Sequence, residues 1–274
     1  MNESKLSLLS WNILGPAVQD VTHYGFQRND YQRLFLIFKI VQEYDADVVC
    51  LQEIDKKSLE FFDQHMHYAY RFASYHSKGQ HGGVVVYIKI SACELVSVDQ
   101  VALSNVSEHS RGAAALAVVR HAATDFDLLV SSVHLNKSSG YHERMSGVLQ
   151  MQSLAHHMKQ LSVQRMIVAG DFNTMYAEMK QDIVAVLSEQ VHQSFGMFEH
   201  QSCTAGTVQG FFTSIDHVVH ANLTIDMQKS QVGQGRYLFP AMVSAQQSLK
   251  NKNLEPIYKV YPSDHVPVYA EFFL

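Results

Sequence analysis

The chain has 274 residues, 47% of them apolar and 17% charged, with 21 Lys and Arg against 26 Asp and Glu for a net charge of −5. That apolar content excludes wholesale disorder, and the length supports one sizeable core without disulfide staples. The acidic balance excludes polybasic, histone-like binding and leaves room only for a local basic groove.

Taken in chain order, residues 6–10 read as a strand. Residues 30–44 read as a helix with Asn29 or Asp30 as cap and Leu34, Ile37, Phe38, Val41 and Tyr44 on one stripe. Residues 47–51 form the next strand. In the aromatic run Tyr68, Tyr70, Phe72 and Tyr75, around Arg71, strand packing is the favoured reading over base stacking. Residues 74–83, with three glycines, read as a surface loop. Strands follow at 83–89, 113–119 and 126–133. A helix at 141–161 places Met145, Val148, Leu149, Gln152 and His156 along one side. After a strand at 166–169, a helix at 177–191 carries Met179, Ile183, Val186 and Leu187. A strand at 215–219, a polar loop at 231–261 and a strand at 266–273 complete the chain.

Several of these strands are apolar without alternation, which calls for sheets covered on both faces. The order of elements predicts an α/β fold in one domain spanning 1–274, with two stacked mixed sheets and helices outside. Cys50, Cys93 and Cys203 are far apart, odd in number and form no CxxC pair, so they read as buried free thiols rather than staples or zinc ligands. No charged-then-apolar leader precedes Leu6, and no apolar run approaches the ~18 residues of a membrane span. A soluble, cytoplasmic monomer without a membrane span is expected.

Polar residues collect where these strands end: Asn12, Glu53, His134, Asp171 and Asn173, then Asp216, Asp264 and His265 at the starts of two others. Singly, each has a structural reading. Asp171 in Gly170-Asp171-Phe172-Asn173 fits a capping turn, His134 a hydrogen-bonded core histidine, and Glu53 a solvated strand end. Together they form a chemically legible set. Oxygen donors without thiolates suit Mg²⁺ or Mn²⁺, and histidines move protons near neutral pH. Metal, carboxylate and imidazole are what hydrolysis of a phosphodiester requires. Arg111, opening the strand at 113, is a candidate phosphate contact or a solvated strand edge. The stretches 47–53 and 166–173 echo each other as apolar strands running into a carboxylate.

Trp11-Asn12, Leu51-Gln52-Glu53, Val133-His134-Leu135, Gly170-Asp171-Phe172-Asn173, Ile215-Asp216-His217 and Ser263-Asp264-His265 occur in this order. The series resembles that of the endonuclease/exonuclease/phosphatase superfamily of DNase I-like hydrolases. Trp11-Asn12-Ile13-Leu14, the spacing to Arg33 and the stretch 45–53 resemble its CCR4-like branch, because Leu14 stands where abasic-site endonucleases carry an acid.

The resemblance implies a four-layer α/β sandwich and a metal-dependent phosphoesterase. By motif, Glu53 resembles the principal metal ligand, with Asn12 and Asp264 helping to hold the site. Asp171 resembles the residue that aligns or deprotonates water, and Asn173 a phosphate or metal contact. His134 resembles a phosphate-contacting histidine, and His265 a second catalytic histidine oriented by Asp216. The expected reaction is Mg²⁺- or Mn²⁺-dependent hydrolysis of phosphodiester bonds in RNA, another single-stranded nucleic acid or a short oligonucleotide. The alternative is a non-nucleic substrate such as a phosphoinositide or sphingomyelin head group.

Overall fold

The structure, a computed structural model, describes residues 4–15, 31–67, 69–77, 82–103, 112–135, 141–200, 204–206, 212–233, 263 and 265–274. Arg111, Asp264, Cys203 and the candidate caps Asn29 and Asp30 lie outside the described residues, as do residues 78–81 and 234–261 of the two expected loops.

In chain order the strands are β1 (Lys5–Asn12), β2 (Val48–Ile54), β3 (Tyr70–Ser77), β4 (Gly83–Lys89), β5 (Cys93–Leu103), β6 (Gly112–His121), β7 (Asp127–His134), β8 (Arg165–Asp171), β9 (Phe195–Met197), β10 (Ala205–Gly206), β11 (Phe212–Thr213), β12 (Asp216–Ala221), β13 (Thr224–Ile225), β14 (Gln231–Val232) and β15 (Val268–Phe273). The helices are α1 (Tyr31–Tyr44), α2 (Lys56–Met66), α3 (Tyr141–Gln160), α4 (Tyr176–Glu178) and α5 (Val184–Val191), with a π-helical turn at Met179–Ile183 before α5.

Among the described residues, one sheet runs β13-β15-β1-β2-β4-β3, with β14 on β15, and the other runs β5-β6-β7-β8-β12-β9. Each contains one parallel pair, β1 with β2 and β7 with β8, and its other pairs are antiparallel. The parallel partners are joined through α1 and α3, as parallel strands require a long crossover.

The absence of alternation now has its cause. In β1, Leu6 and Leu8 face the other sheet, while Leu9 and Trp11 pack outward with α1 and α2. In β6, Ala113, Ala115, Ala117 and Val119 line the core between the sheets, while Ala114, Leu116 and Val118 pack beneath α3 and α5. Both faces are apolar because both are covered, giving four layers, helix–sheet–sheet–helix.

Three sequence expectations change. The α3 side carrying Met145 and Leu149 is the exposed one, at 39% and 38%. The helix instead buries Ser146, Gln150, Met151, Leu154, Ala155 and Met158. Apolar residues surround this helix, and small and polar residues share its buried face, where Gln150 abuts Gly112 of β6, so periodicity selects the wrong stripe. Residues 74–77 of the expected loop belong to β3, and residues 231–232 to β14. Tyr70, Phe72 and Tyr75 of the aromatic run belong to β3, and Tyr68 lies outside the described residues. Tyr70 is buried with its hydroxyl donating to Ala46 O, and Phe72 lies edge-on to Tyr87. Cys50 and Cys93 are buried free thiols, and burial pushes both up, Cys93 to about 12.

Candidate active site

The two parallel pairs end at the same mouth. In the first sheet, Asn12 lies opposite Gln52, the residue before Glu53, and the register shifts between Gln52 and Ile54. Glu53 occupies that bulge with φ +58, a left-handed conformation that costs a non-glycine residue energy. In the second sheet, Asp171 has His134 as its register partner on β7 and Asp216 on β12. Two aspartates directly opposite across an antiparallel pair repel when both are charged.

Asn12 joins the sheets. Its Nδ2 donates to Glu53 Oε1 and to Asp171 Oδ2, both at 3.0 Å, while its Oδ1 accepts from Leu14 N–H at 3.0 Å. The amide therefore presents its nitrogen, not its oxygen, to the carboxylates. Glu53 Oε2 accepts from Gly15 N–H at 2.8 Å. Asp171 Oδ1 accepts from Asn173 N–H at 2.8 Å, and Asn173, itself at φ +48, donates its amide to Leu135 O at 2.9 Å.

Asp171 Oδ2 lies 3.7 Å from His134 Nε2 and 3.8 Å from His265 Nε2, each a step longer than a hydrogen bond. His134 Nε2 is also 3.9 Å from Glu53 Oε1. Burial, and then the charge of Asp216, push Asp171 up to about 7, against the opposing pull of His265, Asn12 and the Asn173 N–H. His265 Nδ1 lies 2.8 Å from Asp216 Oδ2. With Asp216 ionised, Nδ1–H donates to it and Nε2 faces Asp171.

The segment carrying His265 is docked onto β1. Trp11 Nε1 donates to His265 O at 2.9 Å, Ser263 Oγ donates to Asn12 O at 2.7 Å, and His265 N–H donates to Ser263 Oγ at 3.2 Å. Two supporting residues escaped the sequence reading. Thr204 Oγ1 accepts from the N–H groups of Ile215 and Asp216, holding the start of β12. Gln52, buried between the sheets, donates toward Ser10 and Ser132 beneath the site. Buried polar residues in an otherwise apolar strand are a sequence signal for such supports.

The structure thus brings together Asn12, Glu53, His134, Asp171, Asn173, Asp216 and His265. Ligand-capable atoms of Glu53, His134 and Asp171 lie within 4.8 Å of one another, as do those of Asp171, Asp216 and His265. Carboxylate oxygens with imidazole, and no thiolate, fit a hard divalent cation.

The chain matches the Endonuclease/Exonuclease/phosphatase family over residues 9–265. No curated protein sequence matches it. Similar solved structures include an endonuclease/exonuclease/phosphatase family protein from Bacteroides thetaiotaomicron, at 16% identity and TM-score 0.71 over 99% of this chain and 98% of that one. The human Nocturnin catalytic domain with bound sulfate is similar at 17% identity and TM-score 0.68, covering 98% and 94%. The mannosyl-6-phosphatase Bt3783 of B. thetaiotaomicron is similar at 16% identity and TM-score 0.69, covering 98% and 100%. The chain belongs to the endonuclease/exonuclease/phosphatase family and, by that membership, is a phosphoester hydrolase.

Proposed function

We propose that this enzyme is a Mg²⁺- or Mn²⁺-dependent phosphodiesterase acting on RNA or another single-stranded nucleic acid, or on short oligonucleotides. The observation that carries the reading is Asp171 Oδ2, buried between two imidazoles and beside the Glu53 carboxylate, with its pKa raised to about 7. A base poised near neutral pH, next to a carboxylate able to hold a cation, suits attack of water on phosphorus.

Glu53 would hold the cation, with Asn12 fixing its orientation and Asp264 contributing from the same motif series. When bound, the cation supplies charge neutralisation at the phosphoryl oxygens. Asp171 Oδ2 takes the proton of the attacking water as the new P–O bond forms. His265, oriented by Asp216, and Asn173 bond the non-bridging oxygens. His134 contacts the phosphate and protonates the departing ester oxygen as the old bond breaks. Arg111 would add a further contact to the phosphate.

Single-stranded nucleic acid is supported by the CCR4-like Asn12-Ile13-Leu14 start and by the acidic net charge, which disfavours long duplex DNA. The likeness to a D. rerio TDP2 complexed with single-strand DNA product adds weight. A second reading, a non-nucleic phosphoester, is favoured by the fold's likeness to the mannosyl-6-phosphatase.

The acidic net charge and the buried free thiols Cys50 and Cys93 support a monomeric, cytoplasmic catalytic domain spanning residues 1–274. Among the described residues no helix is long and apolar enough to cross a membrane.

The test is turnover of the purified protein with Mg²⁺ or Mn²⁺ on poly(A) RNA, mixed RNA, single- and double-stranded DNA, 2′,5′-linked oligoadenylate, phosphoinositides and mannose 6-phosphate. Single-stranded substrates should be fastest and EDTA should abolish activity. Undiminished turnover in excess chelator would overturn the metal assignment. Fastest turnover on a phosphoinositide or sugar phosphate would overturn the nucleic-acid reading.

A further inference from the structure

The residues that position Glu53 and Asn12 lead back to one buried cation on α1. Arg33 is 4% exposed, yet it carries a guanidinium. Its Nη1 donates to Ile13 O at 2.6 Å and its Nη2 to Leu14 O at 3.2 Å. Those two carbonyls belong to the turn that follows β1. Leu14 sits there with φ +56, a conformation that a branched side chain adopts only when its surroundings impose it.

The turn earns its strain through its N–H groups. Leu14 N–H holds Asn12 Oδ1, which forces the amide nitrogen toward both carboxylates. Gly15 N–H holds Glu53 Oε2. The approach at Gly15 is so close that a Cβ there would stand 2.3 Å from Glu53 O, so nothing larger than glycine fits. Gly82, just before β4, abuts the same backbone, where a Cβ would lie 2.7 Å from Glu53 C. The left-handed Glu53 is thus clasped by two glycines, and one of them is held in place by Arg33.

We propose that Arg33 is a positioning residue for cation binding. Its planar fork pins the carbonyls of residues 13 and 14, and the opposite edges of the same peptide units aim Asn12 and Glu53. A lysine keeps the charge but cannot present two donors in the fixed geometry of the fork. The inference rests on the reading that Glu53 holds a divalent cation.

The experiment is Mn²⁺ binding without substrate, followed by electron paramagnetic resonance of the free ion, alongside Tm. It compares wild type, Arg33→Ala, Arg33→Lys and Leu34→Ala. Leu34 is the buried apolar neighbour on the same helix and reports a packing lesion alone. Arg33→Ala should weaken Mn²⁺ binding by about 10–100-fold, the usual loss when a residue supporting a metal ligand is removed. Arg33→Lys should fall in between. Leu34→Ala should lower Tm and leave Mn²⁺ affinity within about 2-fold of wild type. Methylguanidinium added to Arg33→Ala should restore part of the affinity.

Unchanged Mn²⁺ affinity in Arg33→Ala overturns the proposal. If Arg33→Ala does not fold, unchanged affinity in Arg33→Lys does the same, and so does an equal loss in Leu34→Ala. A wild-type protein that binds no Mn²⁺ overturns the metal reading itself and this inference with it.

Discussion

The two parallel units of the fold invite comparison. Each is strand, helix, strand, and the second strand of each carries a carboxylate at its end, Glu53 one residue before the end of β2 and Asp171 the last residue of β8. The outcomes differ. Glu53 sits on a bulge in a left-handed conformation, with its side chain 17% exposed and gripped by Gly15 N–H and the Asn12 amide. Asp171 stays in register, 2% exposed, facing Asp216 across the ladder and pushed up to about 7. Gly170 keeps that second ladder tight, since a Cβ there would lie 2.0 Å from Val133 O. A bulge turns one carboxylate outward, where it can hold a cation. An unbroken ladder buries the other, where a raised pKa suits it to take a proton. On the proposed function, one architecture would serve two chemistries through a difference of one residue in register.

The comparison breaks most sharply under substitution of the two carboxylates. Asp171→Asn should lower kcat by about 1,000–10,000-fold, the upper range for a proton-transfer group, at every metal concentration. Glu53→Gln should instead shift the Mn²⁺ concentration for half-maximal activity upward by at least ~100-fold, beyond what supporting residues usually cost, with kcat recovering as metal is raised. Metal titrations of both variants check this. Rescue of Asp171→Asn by metal, with none for Glu53→Gln, would reverse the assignment.

The next effect lies within the Asp171 half. His265→Ala should lower kcat by about 100-fold or more, and Asp216→Asn by less, because Asp216 acts through the ring it orients. As one unit, the double variant should be hardly slower than His265→Ala alone. Multiplicative losses in kcat would show that the 2.8 Å contact does not couple the two in catalysis.

How much of this was legible beforehand depends on what kind of signal each residue leaves. The central strands were readable because they are buried on both faces, and the echo between 47–53 and 166–173 is the echo of the two units. Edge strand β5 was not, since exposed positions such as Glu94, Val96 and Val98 interrupt its apolar pattern. Helix α2 was missed as well. It begins at the cap Asp55, whose carboxylate accepts Ser58 N–H, but it buries only Ser58, Phe61, Phe62 and Met66. The polar residues at the strand ends pointed to the site. The supports did not, because Gly15 acts through its own N–H and a close approach, Thr204 by accepting two backbone N–H groups, and Gln52 by donating to Ser10 and Ser132, and no motif records such partners. The orientation of the Asn12 amide is likewise set by a neighbour's N–H, which no motif records.

The smallest expected effect concerns stability of the metal-free protein, where two groups of the Asp171 half, on the paired strands β8 and β12, act with opposite sign. Asp171 is raised from 3.8 to about 7 on folding, so between about pH 4 and 7 the folded chain holds a proton that the unfolded chain has lost. Its contribution to stability is therefore present at low pH and is lost as pH rises through 7. His217, completely buried with Nε2 against Thr174 O, is pushed down from 6.5 to about 4 by burial. Its neutral ring favours the fold above 6.5, and that contribution is lost as pH falls through 4. The two slopes oppose each other between pH 4 and 6.5, so wild-type Tm in EDTA should vary little there and decline toward pH 7–8. In Asp171→Asn only the His217 slope remains of this pair. Its Tm should climb from pH 4 to 6.5 and stay above wild type at pH 8, by about 2–4 °C for each kcal/mol of relieved burial penalty. Saturating Mn²⁺ should close or reverse that gap, because a bound cation favours the ionised carboxylate beside it. Calorimetry of both proteins from pH 4 to 8, with and without Mn²⁺, decides the matter. Superimposable Tm profiles in EDTA would mean that Asp171 folds already ionised, and the contrast with Glu53 would then lie in geometry alone.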